Sequence, residues 1–154
     1  MNIKTKDKGF TIIEVVLVLA IAGLIFMMVF VALPALQRSQ RDTQRKNDLS
    51  RLNTAIASYQ SNNRGSLPSG VTGWNDMVND YVRVSGDTFV DPNGTDYIVR
   101  TSGPLPSEFE PDNPVVLVTV GATCDGEGIK TGQGSRKVAL QMKLEGSGVA
   151  CQNN

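Results

Sequence analysis

The sequence has no histidine, so the commonest metal ligand and general base is missing. Its two cysteines, Cys124 and Cys151, are too few to build a zinc site by themselves. No nucleophile–base constellation stands out, so enzyme activity, a cofactor and a metal centre are not expected. Internal repeats and low-complexity tracts are absent. Charge is missing from one long stretch: Val15 to Leu36 contains no Asp, Glu, Lys or Arg. A composition of 40% hydrophobic and 19% charged residues is ordinary for a globular protein, so the information lies in how residues are distributed. The 154 residues leave room for one modest domain plus an appendage.

The chain opens with Lys4, Lys6 and Lys8, then reads Gly9-Phe10-Thr11-Ile12-Ile13-Glu14 before the uncharged run. That run is about the 20 residues a helix needs to cross a bilayer. It is too long for a secretory signal, and Ala32-Leu33-Pro34-Ala35 is a poor cleavage box. A plain anchor leaves Glu14 unexplained. A carboxylate at the edge of a membrane segment either sits at headgroup level or has a functional partner.

Lys8-Gly9-Phe10-Thr11-Ile12-Ile13-Glu14, directly before a long apolar helix, resembles the class III signal of type IV prepilins and pseudopilins. The resemblance implies cleavage between Gly9 and Phe10 by a prepilin peptidase and methylation of the new Phe10 amine. Glycine lets the backbone enter a protease cleft closely. Cutting ahead of the apolar run leaves the helix in the product as a polymerisation element. In a filament Glu14 would then face the Phe10 amine of a neighbour, because buried charges require partners. The family's usual helix-kinking proline is replaced by Val31, and the nearest proline is Pro34, where a bend is expected.

Orientation is contested. Arg38, Arg41, Arg45 and Lys46 follow the span, and a plain count of basic residues would keep them cytoplasmic. A signal read by a peptidase on the cytoplasmic side places the following residues outside. Two well-separated cysteines also suit an oxidising exterior.

From Gln37 to Gln60 there is no proline or glycine. Leu49, Leu52, Ile56 and Tyr59 form one apolar stripe at helical spacing, continuing the face of Arg38, Arg41 and Arg45. The change from basic to apolar near Asp48 predicts the point where the helix meets a globular head. Ser61 to Gly65 and Pro68 stop it. Residues 37–65 carry six Lys/Arg against two Asp, and residues 66–154 carry six Lys/Arg against eleven Asp/Glu. A basic stalk and an acidic head suit staggered packing of subunits; pairing along a solvated helix, Asp42 with Arg38 or Lys46 and Asp48 with Arg45 or Arg51, is the plainer alternative. Nucleic acid is a weak partner for this run, which lacks interleaved aromatics.

In the head, Trp74, Met77, Val78 and Tyr81 predict a short helix. Thr88–Asp91 and Thr95–Val99 read as two strands around Pro92-Asn93-Gly94. Val115–Val120 reads as a central strand, and the alternation of Val138, Leu140, Met142 and Leu144 as a strand with one buried face. Gly121–Ser135 reads as a mobile loop. Asp91, Asn93 and Asp96 offer oxygens for calcium, although the spacing is not that of an EF-hand and an ordinary turn explains them. Asp91-Pro92-x-Gly94-x-x-Tyr97 resembles a loop of pilins and pseudopilins. Many pilins close their C-terminal region with a disulfide, which here would join Cys124 and Cys151 and add roughly 3–4 kcal/mol by the chain-entropy argument. Two free thiols are the alternative.

The expected fold is α+β: a long N-terminal helix, half membrane-spanning and half amphipathic, packed on a small antiparallel sheet. The divisions are a leader at residues 1–9, a transmembrane and polymerisation helix at 10–36, an amphipathic half at 37–65, and a globular head at 66–154. The expected role is a structural pilus-like filament subunit, first a single-pass membrane precursor and then at the cell surface. Its partners would be identical or related subunits, the prepilin peptidase, the membrane assembly machinery, and lipid before assembly. The alternatives are a pseudopilin of a secretion or DNA-uptake system, or a single-pass membrane protein with a binding domain.

Overall fold

The computed structural model describes residues 9–154. Helix α1 runs Ile12–Asn62 and continues through Pro34. The chain divides into a first unit ending at Gln37 and a second spanning Arg38–Asn154. In the first unit α1 contains a stretch long and apolar enough to cross a membrane, with none of it buried. In the second unit Leu49, Leu52 and Ile56 are buried on one stripe of α1. The helix ends where Arg64 and Gly65 turn left-handed, at φ 56° and 81°. The Gly65 and Asn63 amides then donate to the carbonyls of Gln60 and Tyr59 at 2.7 and 2.9 Å, satisfying the exposed helix end.

Helix α2, Gly70–Tyr81, buries Trp74, Met77 and Val78 against the same core. Six strands follow: β1 Ile98–Arg100, β2 Val115–Val120, β3 Ala122–Asp125, β4 Gly128–Thr131, β5 Val138–Lys143 and β6 Val149–Asn153. Four form a sheet in the order β1-β2-β5-β6, while β3 and β4 form a separate hairpin. Val116 and Val118 of β2 and Val138, Leu140 and Met142 of β5 meet the helices in one core. Burying an aliphatic side chain of this size contributes about 1.5–3 kcal/mol, so this core holds the head together.

The α+β arrangement is as expected, a long helix packed on small, mostly antiparallel sheets. Four details differ. Of the two strands expected around Pro92-Asn93-Gly94, only an isolated Val90–Asp96 bridge and β1 form, and β1 pairs with β2 in parallel. The Asp91 amide donates to the Thr95 carbonyl at 2.8 Å, and beyond this turn Ile98–Arg100 pairs with β2 instead.

The expected mobile loop holds the β3–β4 hairpin, with Cys124 opposite Ile129. Its glycines at positive φ, Gly121, Gly126, Gly132 and Gly134, fall at the turns and leave both strands free to pair. Strand β5 is covered on both faces, since Ala139 and Gln141 are buried along with Val138, Leu140 and Met142. The Gln141 amide donates to the Glu127 carbonyl in the hairpin turn at 2.8 Å. Strand β6, which pairs antiparallel with β5, was not anticipated.

Candidate functional site

Gly9 and Phe10 lie outside regular structure just before α1, and both are exposed. An ideal Cβ on Gly9 would meet nothing within 4 Å. Among the described residues, nothing packs over Gly9. Lys4, Lys6 and Lys8 lie outside the described residues.

Glu14 sits in the first turn of α1, and its carboxylate is tied to Thr11. It accepts from the Thr11 amide and from the Thr11 hydroxyl, each at 2.9 Å. The Glu14 amide in turn donates to the Thr11 hydroxyl oxygen at 3.3 Å. This reciprocal pair is a capping box, built by a threonine and a glutamate three residues apart at a helix start. Sequence reasoning passed over it, although Thr11-Ile12-Ile13-Glu14 is its pattern. The carboxylate thus starts the helix as well as carrying charge.

With the geometry of this segment established, residues 4–30 match the prokaryotic N-terminal methylation motif. The chain carries the class III signal of type IV pilins and pseudopilins. The match covers 27 of the 154 residues and ends within the apolar part of α1. No curated protein and no solved structure matches the chain. The signal supports a type IV pilin-like or pseudopilin precursor.

Beyond the signal, the second unit holds a buried polar cluster around Arg45. This side chain is wholly buried, whereas both sequence readings placed it outside the head's own core, either towards neighbouring subunits or on a solvated face. Its Nε and Nη2 donate to the two Asp91 carboxylate oxygens at 2.6 and 3.0 Å. Nη1 reaches Asp42 at 2.9 Å and Glu145 at 3.3 Å. The guanidinium carbon lies 4.0 Å from the centre of the Phe109 ring. Burial alone would lower the Arg45 pKa, but the bonds to Asp91, Asp42 and Glu145 outweigh it and raise the value.

The neighbouring charges are matched in the same way. Arg41 donates two hydrogen bonds to Glu145, one of them from Nε at 2.8 Å. These bonds hold the Glu145 carboxyl down at about 2, against the opposing effect of burial. Asp42 accepts from the backbone amides of Glu145 and Gly146 at 2.9 and 2.7 Å. A Cβ on Gly146 would stand 2.9 Å from an Asp42 carboxylate oxygen, so a side chain there would have to displace that carboxylate. One turn further along α1, Asp48 accepts from the Tyr97 hydroxyl at 3.0 Å and from Arg51 at 3.2 Å. Burial raises the pKa values of both Asp48 and Tyr97.

Two expectations are corrected here. Head packing begins at Asp42 and Arg45, before the basic-to-apolar change at Asp48, because the buried face starts with ion pairs. Arg41, Arg45 and Arg51 also bind acidic groups of their own head, which removes most of the free basic stalk invoked for staggered packing.

Two of the residues weighed for calcium, Asp91 and Asp96, are paired with arginines. Asp91 is bound by Arg45, Asp96 by Arg83 at 2.6 Å, and the Asn93 amide donates to Asp91 at 3.0 Å. Asp42 pairs with Arg45 rather than with Arg38 or Lys46.

Cys124 and Cys151 are joined in a disulfide that ties hairpin strand β3 to sheet strand β6, with Cα atoms 5.8 Å apart. Both residues are half-buried.

Proposed function

We propose that this chain is the precursor of a structural subunit of a type IV pilus-like filament. The observation that carries the reading is the matched signal, with Gly9 and Phe10 exposed directly before an apolar helix. On this reading the peptidase hydrolyses the Gly9–Phe10 bond, and the freed amine is methylated. Residues 10–36 hold the subunit in the membrane until assembly and then form the filament interior. Residues 37–65 continue the helix into the head formed by 66–154. Related subunits, the peptidase and the membrane assembly machinery are the partners. The matched motif belongs to structural rather than catalytic proteins, which favours a non-enzymatic role.

The disulfide favours an extracellular head over a cytoplasmic binding domain, since reducing cytosol opposes such bonds. The deciding experiment is mass spectrometry of purified surface filaments. It should find this chain beginning at Phe10 with one added methyl group, and Gly9→Val should leave an uncut precursor in the membrane. Assembled chains that retain residues 1–9 would refute the proposal.

A further inference from the structure

Arg45 touches three segments that are far apart in the sequence. Asp91 belongs to the turn before β1, Phe109 to the connection between β1 and β2, and Glu145 to the turn between β5 and β6. The connection over residues 101–114 contains no helix or strand, and Glu108, Glu110 and Asp112 on it are exposed. A guanidinium presents its donors in a rigid fork, so these contacts share one orientation of one group. A wholly buried charge stays buried only while enough acceptors surround it. Loss of one carboxylate therefore changes the balance for the whole side chain, which has water as its alternative partner.

We propose that Arg45 is a latch coupling these three segments, so that releasing one loosens the other two while the sheet core stays closed. The two states are Arg45 docked among Asp42, Asp91 and Glu145, and Arg45 withdrawn towards solvent. Among the described hydrogen bonds Asp91 is linked to the other two segments only through Arg45, while the Glu145 turn is held in addition by Arg41 and by Asp42, itself a partner of Arg45. Such coupling is reciprocal by linkage.

The test is hydrogen exchange on the full chain in detergent micelles, comparing wild type with Asp91→Asn and Glu145→Gln. Asp91→Asn keeps the side chain's size and removes its charge. Amides around Phe109 and at Glu145–Gly146 should then exchange about tenfold faster or more, while β2 and β5 change by less than about twofold. Glu145→Gln should loosen the 91–94 turn in return. Should Asp91→Asn unfold the head, the Glu145→Gln arm decides alone, because that carboxylate lies nearer the surface. Loosening confined to the substituted segment, or a uniform rise that includes β2 and β5, would overturn the latch.

Discussion

The Arg45 guanidinium and the Asp91 carboxylate, 46 residues apart, form a two-pronged ion pair in which neither side chain reaches solvent. Removing one member of a buried pair leaves the other charged and uncompensated. Asp91→Ala should therefore lower head stability by about 3–5 kcal/mol. Urea unfolding followed through the buried Trp74 measures this. Arg45→Lys should not substitute for arginine, because an ammonium group lacks the planar fork that engages both Asp91 oxygens.

Glu145 is expected to contribute to the acid response. Its pKa is lowered to about 2 by the hydrogen bonds from Arg41, from an ordinary glutamate value of about 4.3. A carboxylate with a depressed folded-state pKa adds stability above its unfolded value, and that stability is lost as pH falls through the folded value. Head stability should thus decline between about pH 4.3 and about pH 2. The raised pKa of Asp48 acts in the opposite direction, since protonation relieves its burial. Glu145→Gln should flatten the decline, read as urea midpoints across this range. An unchanged slope would show that Glu145 does not carry the acid sensitivity.

The parts legible in the sequence are those where one local pattern decides the outcome. The uncharged run after Glu14 is decided by its length and composition alone, whereas the stripe through Leu49, Leu52 and Ile56 and the α2 residues Trp74 and Met77 have a period that tertiary contacts reinforce. Arg45 was illegible because its burial depends on Asp91 and Glu145, which are remote in the chain. The hairpin at Ala122–Thr131 was hidden by glycines that look like loop residues but occupy its turns. Strand β5 misled differently: Gln141 looks solvent-facing until Glu127 covers it. At the candidate site, the run from Gly9 to Glu14 was readable as a signal, but the local hydrogen bonds of Thr11 were overlooked.

The bond between Cys124 and Cys151 clips the β3–β4 hairpin to β6. Non-reducing peptide mapping of surface material should recover the two cysteines in one linked fragment. Replacing both by serine should reduce head stability by about 3–4 kcal/mol on the chain-entropy argument, with amide exchange rising first in β3 and β4. Recovery of two free thiols, protected against exchange during preparation, would revive the cytoplasmic head.

Glu14 has two candidate roles, and one substitution separates them. In the structure its carboxylate closes the capping box with Thr11. In a filament the same group would meet the methylated Phe10 amine of a neighbouring subunit. Glutamine serves in a capping box as glutamate does, because its side-chain oxygen still accepts from the Thr11 amide. Glu14→Gln therefore preserves the helix start and deletes only the charge. If capping is the whole role, insertion, cleavage and filament yield should all stay near wild type. If the charge docks subunits, insertion and cleavage should persist while filament yield collapses, since an unpartnered buried amine costs about 3–5 kcal/mol and recurs at every subunit. Thr11→Ala is the complementary control. It weakens the cap by about 1 kcal/mol and keeps the charge, so assembly should be reduced far less than by Glu14→Gln. We expect the asymmetric result, with loss of charge more damaging than loss of cap. Normal filaments from a pure Glu14→Gln population would assign Glu14 to the helix start alone.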